Sequence, residues 1–205
     1  MSDPEPFRTV AERAVARFEV RGSEFVGRVA PVGSVDAAEA FVDEVREAHP
    51  DATHHVPAYR VSAGDGADLL RERSSDDGEP SGSAGKPALN VLRRRDLRNV
   101  AAVVIRYYGG VKLGVGGLAR AYARGVKEAV DAAGVVERVP HERFAAVVDY
   151  DDSGTVRGIL ESEGVEFDAD YEERVTFAVR VPVGDAAALR DRLRSATSDR
   201  VAFEG

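Results

Sequence analysis

The chain has 205 residues, 43% of them hydrophobic, enough to bury a core as one large domain or two small ones. It contains no cysteine, which excludes disulfides, thiolate metal sites and a cysteine nucleophile. The net charge of −8, the lack of any apolar run of membrane-spanning length, and a start (Met1-Ser2-Asp3-Pro4-Glu5) without the basic and apolar blocks of a secretion signal predict a soluble, cytoplasmic protein with no membrane partner.

Taken in order, Arg17–Val20 and Glu24–Val29 flank Arg21-Gly22-Ser23 and predict a hairpin. From Ser34 the pattern turns helical. Asp36 and Glu39 are spaced as a capping box, Phe41, Val42, Val45 and Ala48 share a face, and Pro50 stops the run. Ala52–Val61 reads as a strand with Pro57 near a sheet edge, followed by a polar loop over Ser62–Glu79 and a short helix over Ala88–Arg94. Val100–Ile105 is a continuous apolar strand of the buried kind. Over Leu118–Ala133, Leu118, Tyr122, Val126, Ala129 and Ala133 form an apolar helical stripe, while Arg120, Arg124 and Lys127 repeat along another face.

After Pro140 the order is strand 144–150, helix 156–162, strands 165–171 and 175–181, helix 185–194 and a closing strand 201–203. This β-α-β-β-α-β order is that of a ferredoxin-like sandwich. The expected fold is therefore α+β in two domains, residues 1–138 and 139–205.

Two glycine-rich runs mark the first domain, Asp76–Pro87 and Arg106–Arg120. Glycine buries no side chain, so its density points to sharp turns and close backbone approach. Between Lys86 and Lys127 ten basic residues face the single acid Asp96, a local charge of +9 that leaves −17 for the remainder. A basic island on an acidic protein suits phosphate or nucleic acid; the bland alternative is a solvated face paired with acids elsewhere. Three lysines against twenty-five arginines, with acids in surplus, fit a high-salt cytoplasm. At a Debye length of roughly 3 Å, only close arginine forks and backbone amides would still hold phosphate.

The glycines before residue 118 would leave the amides and positive dipole end of the next helix open to an anion, unless they only form turns. A Walker loop fails, because Pro87 follows Gly85-Lys86 and Pro80 stands where the first glycine belongs. Gly114-Val115-Gly116-Gly117-Leu118-Ala119 matches a dinucleotide pattern, but eight residues separate it from Ile105. His54 and His55 with Asp76, Asp77 and Glu79 offer metal-ligand types, although adjacent histidines on a strand diverge. Ser81 or Ser83 with His54 and Asp77 has the residue types of a triad without a nucleophile elbow.

Ser75-Asp76-Asp77-Gly78-Glu79-Pro80-Ser81-Gly82-Ser83-Ala84-Gly85 followed by Arg106-Tyr107-Tyr108-Gly109-Gly110-Val111-Lys112-Leu113-Gly114-Val115-Gly116-Gly117-Leu118-Ala119-Arg120-Ala121-Tyr122 closely resembles the IMPACT/YigZ family. Ala52-Thr53-His54 and Ala58-Tyr59-Arg60 resemble its upstream motif. The resemblance implies a small-ribosomal-protein-like β-α domain followed by a ferredoxin-like one, both with kinship pointing to RNA or the ribosome. Eukaryotic relatives regulate translation in amino-acid stress through an additional N-terminal domain, so what carries over here is RNA association and translation.

The expected function is non-enzymatic binding of RNA or the ribosome, with a protein of the translation apparatus as a further partner and no DNA sequence specificity. Arg106, Lys112, Arg120 and Arg124 are expected as phosphate contacts, Tyr107 and Tyr108 as stacking groups, and Gly109, Gly110, Gly114, Gly116 and Gly117 as close-approach backbone. His54, Tyr59, Asp76, Asp77, Gly78, Glu79, Ser81, Gly82 and Gly85 are expected to order the neighbouring loop. No catalytic residue, metal or cofactor is assigned. The alternatives are a small-molecule phosphotransferase or hydrolase using the Asp/Glu/His cleft, and a protein-binding module.

Overall fold

The computed structural model describes residues 6–62 and 69–204, which fall into two units, Phe7–Arg138 and residues 139–204 with Pro6. The first unit runs β1 (Phe7–Val10), β2 (Ala14–Val20), β3 (Ser23–Pro31), α1 (Val35–Ala48), β4 (His54–Ser62), β5 (Leu70–Ser74), α2 (Gly85–Arg94), β6 (Val100–Tyr107), α3 (Gly114–Ala133) and β7 (Val135–Arg138). Five strands form an antiparallel sheet in the order β2-β3-β6-β4-β5, and β1 pairs separately with β7.

Strand β6 is apolar at consecutive positions because both its faces are covered. Val100, Ala102 and Val104 join a core with α2 and α3, while Ala101, Val103 and Ile105 join a second core under α1. On the first face α3 lies directly on the sheet where Gly27 meets Gly125: a Cβ on Gly27 would stand 2.2 Å from the Gly125 carbonyl oxygen. Backbone-to-backbone contact of this kind requires glycine.

Several local expectations change. Pro57 lies on an interior strand, with β6 on one side of β4 and β5 on the other. Its ring is tolerated because the β5 ladder ends at the Ala58–Ser74 pair, beyond which the Ser75 N–H still donates to the Pro57 carbonyl at 3.2 Å. Asp36 and Glu39 do not form a capping box. Ser34 is the N-cap, its Oγ accepting the Ala37 N–H at 3.1 Å, and Glu39 instead accepts the Tyr59 hydroxyl at 2.7 Å. The expected loop over 62–79 contains β5 in its second half, while residues 63–68 lie outside the described residues. Helix α3 begins at Gly114, four residues before the expected start.

The second unit is β8 (His141–Val148), α4 (Tyr150–Glu163), β9 (Glu166–Tyr171), β10 (Val175–Pro182), α5 (Val183–Ala196) and β11 (Ala202–Glu204). Its antiparallel sheet has the order β11-β8-β10-β9, the ferredoxin-like arrangement. Phe144, Ala146, Val148, Phe177, Val179 and Val181 alternate inward to meet Val156, Leu160, Leu189 and Leu193 of the helices. Among the described residues no helix is long and apolar enough to cross a membrane.

Candidate functional site

Strand register builds one cross-sheet row on the α2–α3 face: Phe18 opposite Phe25, Phe25 opposite Arg106, and Arg106 opposite His54. Arg106 is therefore buried, at 4% exposure, and departs from the expected surface phosphate contact. Glu79 Oε1 accepts from the Arg106 guanidinium and from the Tyr122 hydroxyl, both at 2.7 Å. The Tyr122 phenol is pushed far above its ordinary range, first by burial and then by Glu79. Ser23 Oγ accepts from Arg106 at 3.3 Å and from the Gly109 N–H at 3.1 Å, tying the glycine run to the β2–β3 turn.

The loop after β5 is organised by its carboxylates. Asp76 accepts the N–H groups of Gly82 at 2.7 Å, Ala84 at 3.0 Å and Gly85 at 2.8 Å, so it caps the start of α2 from a distance. Asp77 accepts the His55 N–H at 2.6 Å. Its carbonyl lies 2.7 Å from His54 Nδ1. Since a carbonyl only accepts, that nitrogen carries the proton, and Nε2 faces Glu79 at 3.8 Å. Gly78 and Gly82 stand at positive φ in the two turns, and Gly85 packs on the Ser75 backbone. Ser81 is exposed, and Tyr59 is buried with its hydroxyl on Glu39. Among the described residues no three His, Asp or Glu side chains converge as metal ligands do.

The second glycine run divides by role. Gly109 backs onto the β2–β3 turn, where an added Cβ would meet Gly22 backbone at 1.9 Å, so its close approach is to the protein itself. Gly110 and Gly114 have positive φ and face open space. Gly114, Gly116 and Gly117 form the first turn of α3, with Leu113 at the N-cap, no side-chain cap and no acidic residue in that turn. Lys112 is exposed just before that turn. Tyr107 points to the opposite sheet face, its hydroxyl 2.8 Å from His49 Nδ1. Tyr108 is 45% exposed, with the Arg106 guanidinium 5.1 Å from its ring centroid.

Along α3 the basic stripe meets the end of α2 across a depression of about 750 Å³ lined by Arg94, Arg95, Arg120, Arg124, Lys127, Glu128 and Asp131. Arg124 donates to Glu128 at 2.7 Å and lies 4.1 Å over the Phe18 ring. Arg95 pairs with Asp131 at 2.6 Å. Arg94, Arg120 and Lys127 have no ion-pair partner among the described residues. Arg94 and Arg95 are additions to the expected site. The Arg93-Arg94-Arg95 triplet is visible in the sequence, but only the packing of α2 on α3 brings two of the three beside Arg120, while Arg93 turns to Glu72.

The Impact N-terminal domain family matches residues 21–130. The chain belongs to the IMPACT family. A domain of unknown function, DUF1949, matches residues 147–200. The IMPACT family member YigZ of Escherichia coli is 36% identical over 176 residues, covering 85% of each chain. YvyE of Bacillus subtilis, another family member, is 34% identical over 193 residues, 94% of this chain and 87% of that one. Protein IMPACT of Rattus norvegicus is 35% identical over 96 residues, 46% of this chain and 29% of its own length. A crystal structure described as a hypothetical protein superposes with a TM-score of 0.72 at 31% identity, covering 100% of this chain and 98% of that one.

Proposed function

We propose that this IMPACT-family chain regulates translation by binding RNA, free or within a ribonucleoprotein, through the exposed depression between α2 and α3, without catalysing a reaction. One observation carries the reading. In a chain with 36 acids and 28 lysines and arginines, Arg94, Arg120 and Lys127 converge on one depression and have no carboxylate partner among the described residues. Cations that could be neutralised locally and are not suit a ligand that brings its own negative charge. Kinship with the IMPACT family supports translation as the process. The phosphotransferase or hydrolase reading has less support, since Asp76, Asp77 and Glu79 already accept hydrogen bonds from the protein.

The test is binding to total cellular RNA and to ribosomes across a salt series, beside the variant Arg94→Ala/Arg120→Ala/Lys127→Ala. Wild type is expected to lose affinity with salt, and the variant to bind more weakly with a salt slope smaller by about 2, at about 0.7 per phosphate contact removed. Equal binding and equal slope would place any RNA contact elsewhere.

A further inference from the structure

A second cavity, of about 220 Å³, opens beside the β2–β3 turn, where Arg21, Arg120 and Arg124 line it with Val20, Leu113 and Gly117. Among the described residues no carboxylate lines it. Arg21 and Arg120 have no ion-pair partner among the described residues, and Arg124 keeps Glu128 at 2.7 Å. The pocket thus offers two uncompensated guanidiniums and a third that is paired.

Arg21 also stands where arginine is conformationally awkward. Its φ is +48° and that of Gly22 is +80°, a tight turn with both central residues in the left-handed region. Asn, Asp or Gly suits the first of these positions better. What arginine adds there is a side chain that reaches the start of α3.

We infer that this pocket holds a phosphate monoester, either the terminal phosphate of an RNA strand or that of a mononucleotide; in its strand-end form the inference rests on the RNA reading above. A monoester carries about −1.5 to −2 at neutral pH, which two unpaired guanidiniums balance, whereas an internal diester carries a single charge. The pocket is open to solvent, and its volume of about 220 Å³ leaves room for such a group. The pocket shares Arg120 and Arg124 with the larger depression, so a strand anchored by its end runs on past Arg94 and Lys127.

Fluorescence anisotropy with one short RNA bearing a 5′-phosphate, a 3′-phosphate or neither tests this, with AMP as competitor. Wild type is expected to bind one phosphorylated form about tenfold tighter than the unphosphorylated RNA, the effect of one charge-assisted hydrogen bond. Arg21→Asn, which suits the left-handed turn, should abolish that preference. Arg71→Ala, the same charge removed from β5 at the other edge of the sheet, should retain it. Competition by AMP as effective as that of phosphorylated RNA identifies a mononucleotide pocket; failure of AMP to compete identifies the strand end. Equal binding of all three RNAs by wild type, with no binding of AMP, overturns the pocket and leaves the RNA reading standing. A preference that survives Arg21→Asn, or that Arg71→Ala also removes, overturns the pocket as well. Binding of neither RNA nor AMP overturns both.

Discussion

Glu79 Oε1 receives the Arg106 guanidinium and the Tyr122 hydroxyl together, so its loss strands a buried cation. Glu79→Gln should destabilise the first unit by about 3–5 kcal/mol, and Tyr122→Phe, which removes one hydrogen bond to a charged group, by about 2 kcal/mol. Urea unfolding of both variants checks the ranking, and the reverse order would mean the ion pair is not the main support. Asp76 gives a pH signature. Burial resists its ionisation, but the amides of Gly82, Gly85 and Ala84, with Lys86 nearby, outweigh burial and hold the carboxyl below its ordinary value. Because the folded-state value is depressed, the stabilisation is present above the unfolded carboxylate pKa of about 3.9 and is lost as pH falls through the folded value. Asp76→Ala should cost about 1–2 kcal/mol near neutral pH, and denaturation at a series of lower pH values should show parent and variant converging. At this scale the sequence was half legible. Strand parity puts Arg106 on the same face as Val100, Ala102 and Val104, which argues against a surface contact, but nothing local pairs it with Glu79 twenty-seven residues earlier.

Among the elements, those with strong periodicity were legible and those held by distant partners were not. The α3 stripe and the continuous β6 run could be read directly, because burial on one face or two dictates their spacing. Strand β5 is Leu-Arg-Glu-Arg-Ser, with no apolar alternation, and is secured by ion pairs from Arg60 to Glu72 and from Arg73 to Glu39. Strands β1 and β7 lie 125 or more residues apart along the chain where they pair, and each has only four residues. The early start of α3 was hidden by Gly114, Gly116 and Gly117, poor helix formers that tertiary packing overrides. That packing makes its own prediction. Gly27→Ala should cost about 3 kcal/mol by forcing α3 off β3. Gly125→Ala meets Val104 Cγ1 at 2.8 Å, a side chain rather than backbone, and also gains about 1 kcal/mol of helix propensity. Thermal melts should therefore show a much larger drop for Gly27→Ala.

For the whole molecule, the two units differ in charge as well as in fold. From Pro140 onward fifteen acids face eight bases, a net −7, while the basic island lies entirely in the first unit. Each unit has its own buried core. Residues 7–138 alone should keep the RNA affinity of the full chain and residues 139–205 alone should show none, which mobility-shift titration of the two fragments can check; binding by the second fragment would move the interface. The β1–β7 pair sets Phe7 directly opposite Arg138, so the first unit is entered and left side by side through two antiparallel strands. Tension applied between those two ends runs across the strands rather than along them. The four residue pairs then open one after another like a zip, so a pulling partner peels the clasp at low force before the five-stranded sheet takes any load.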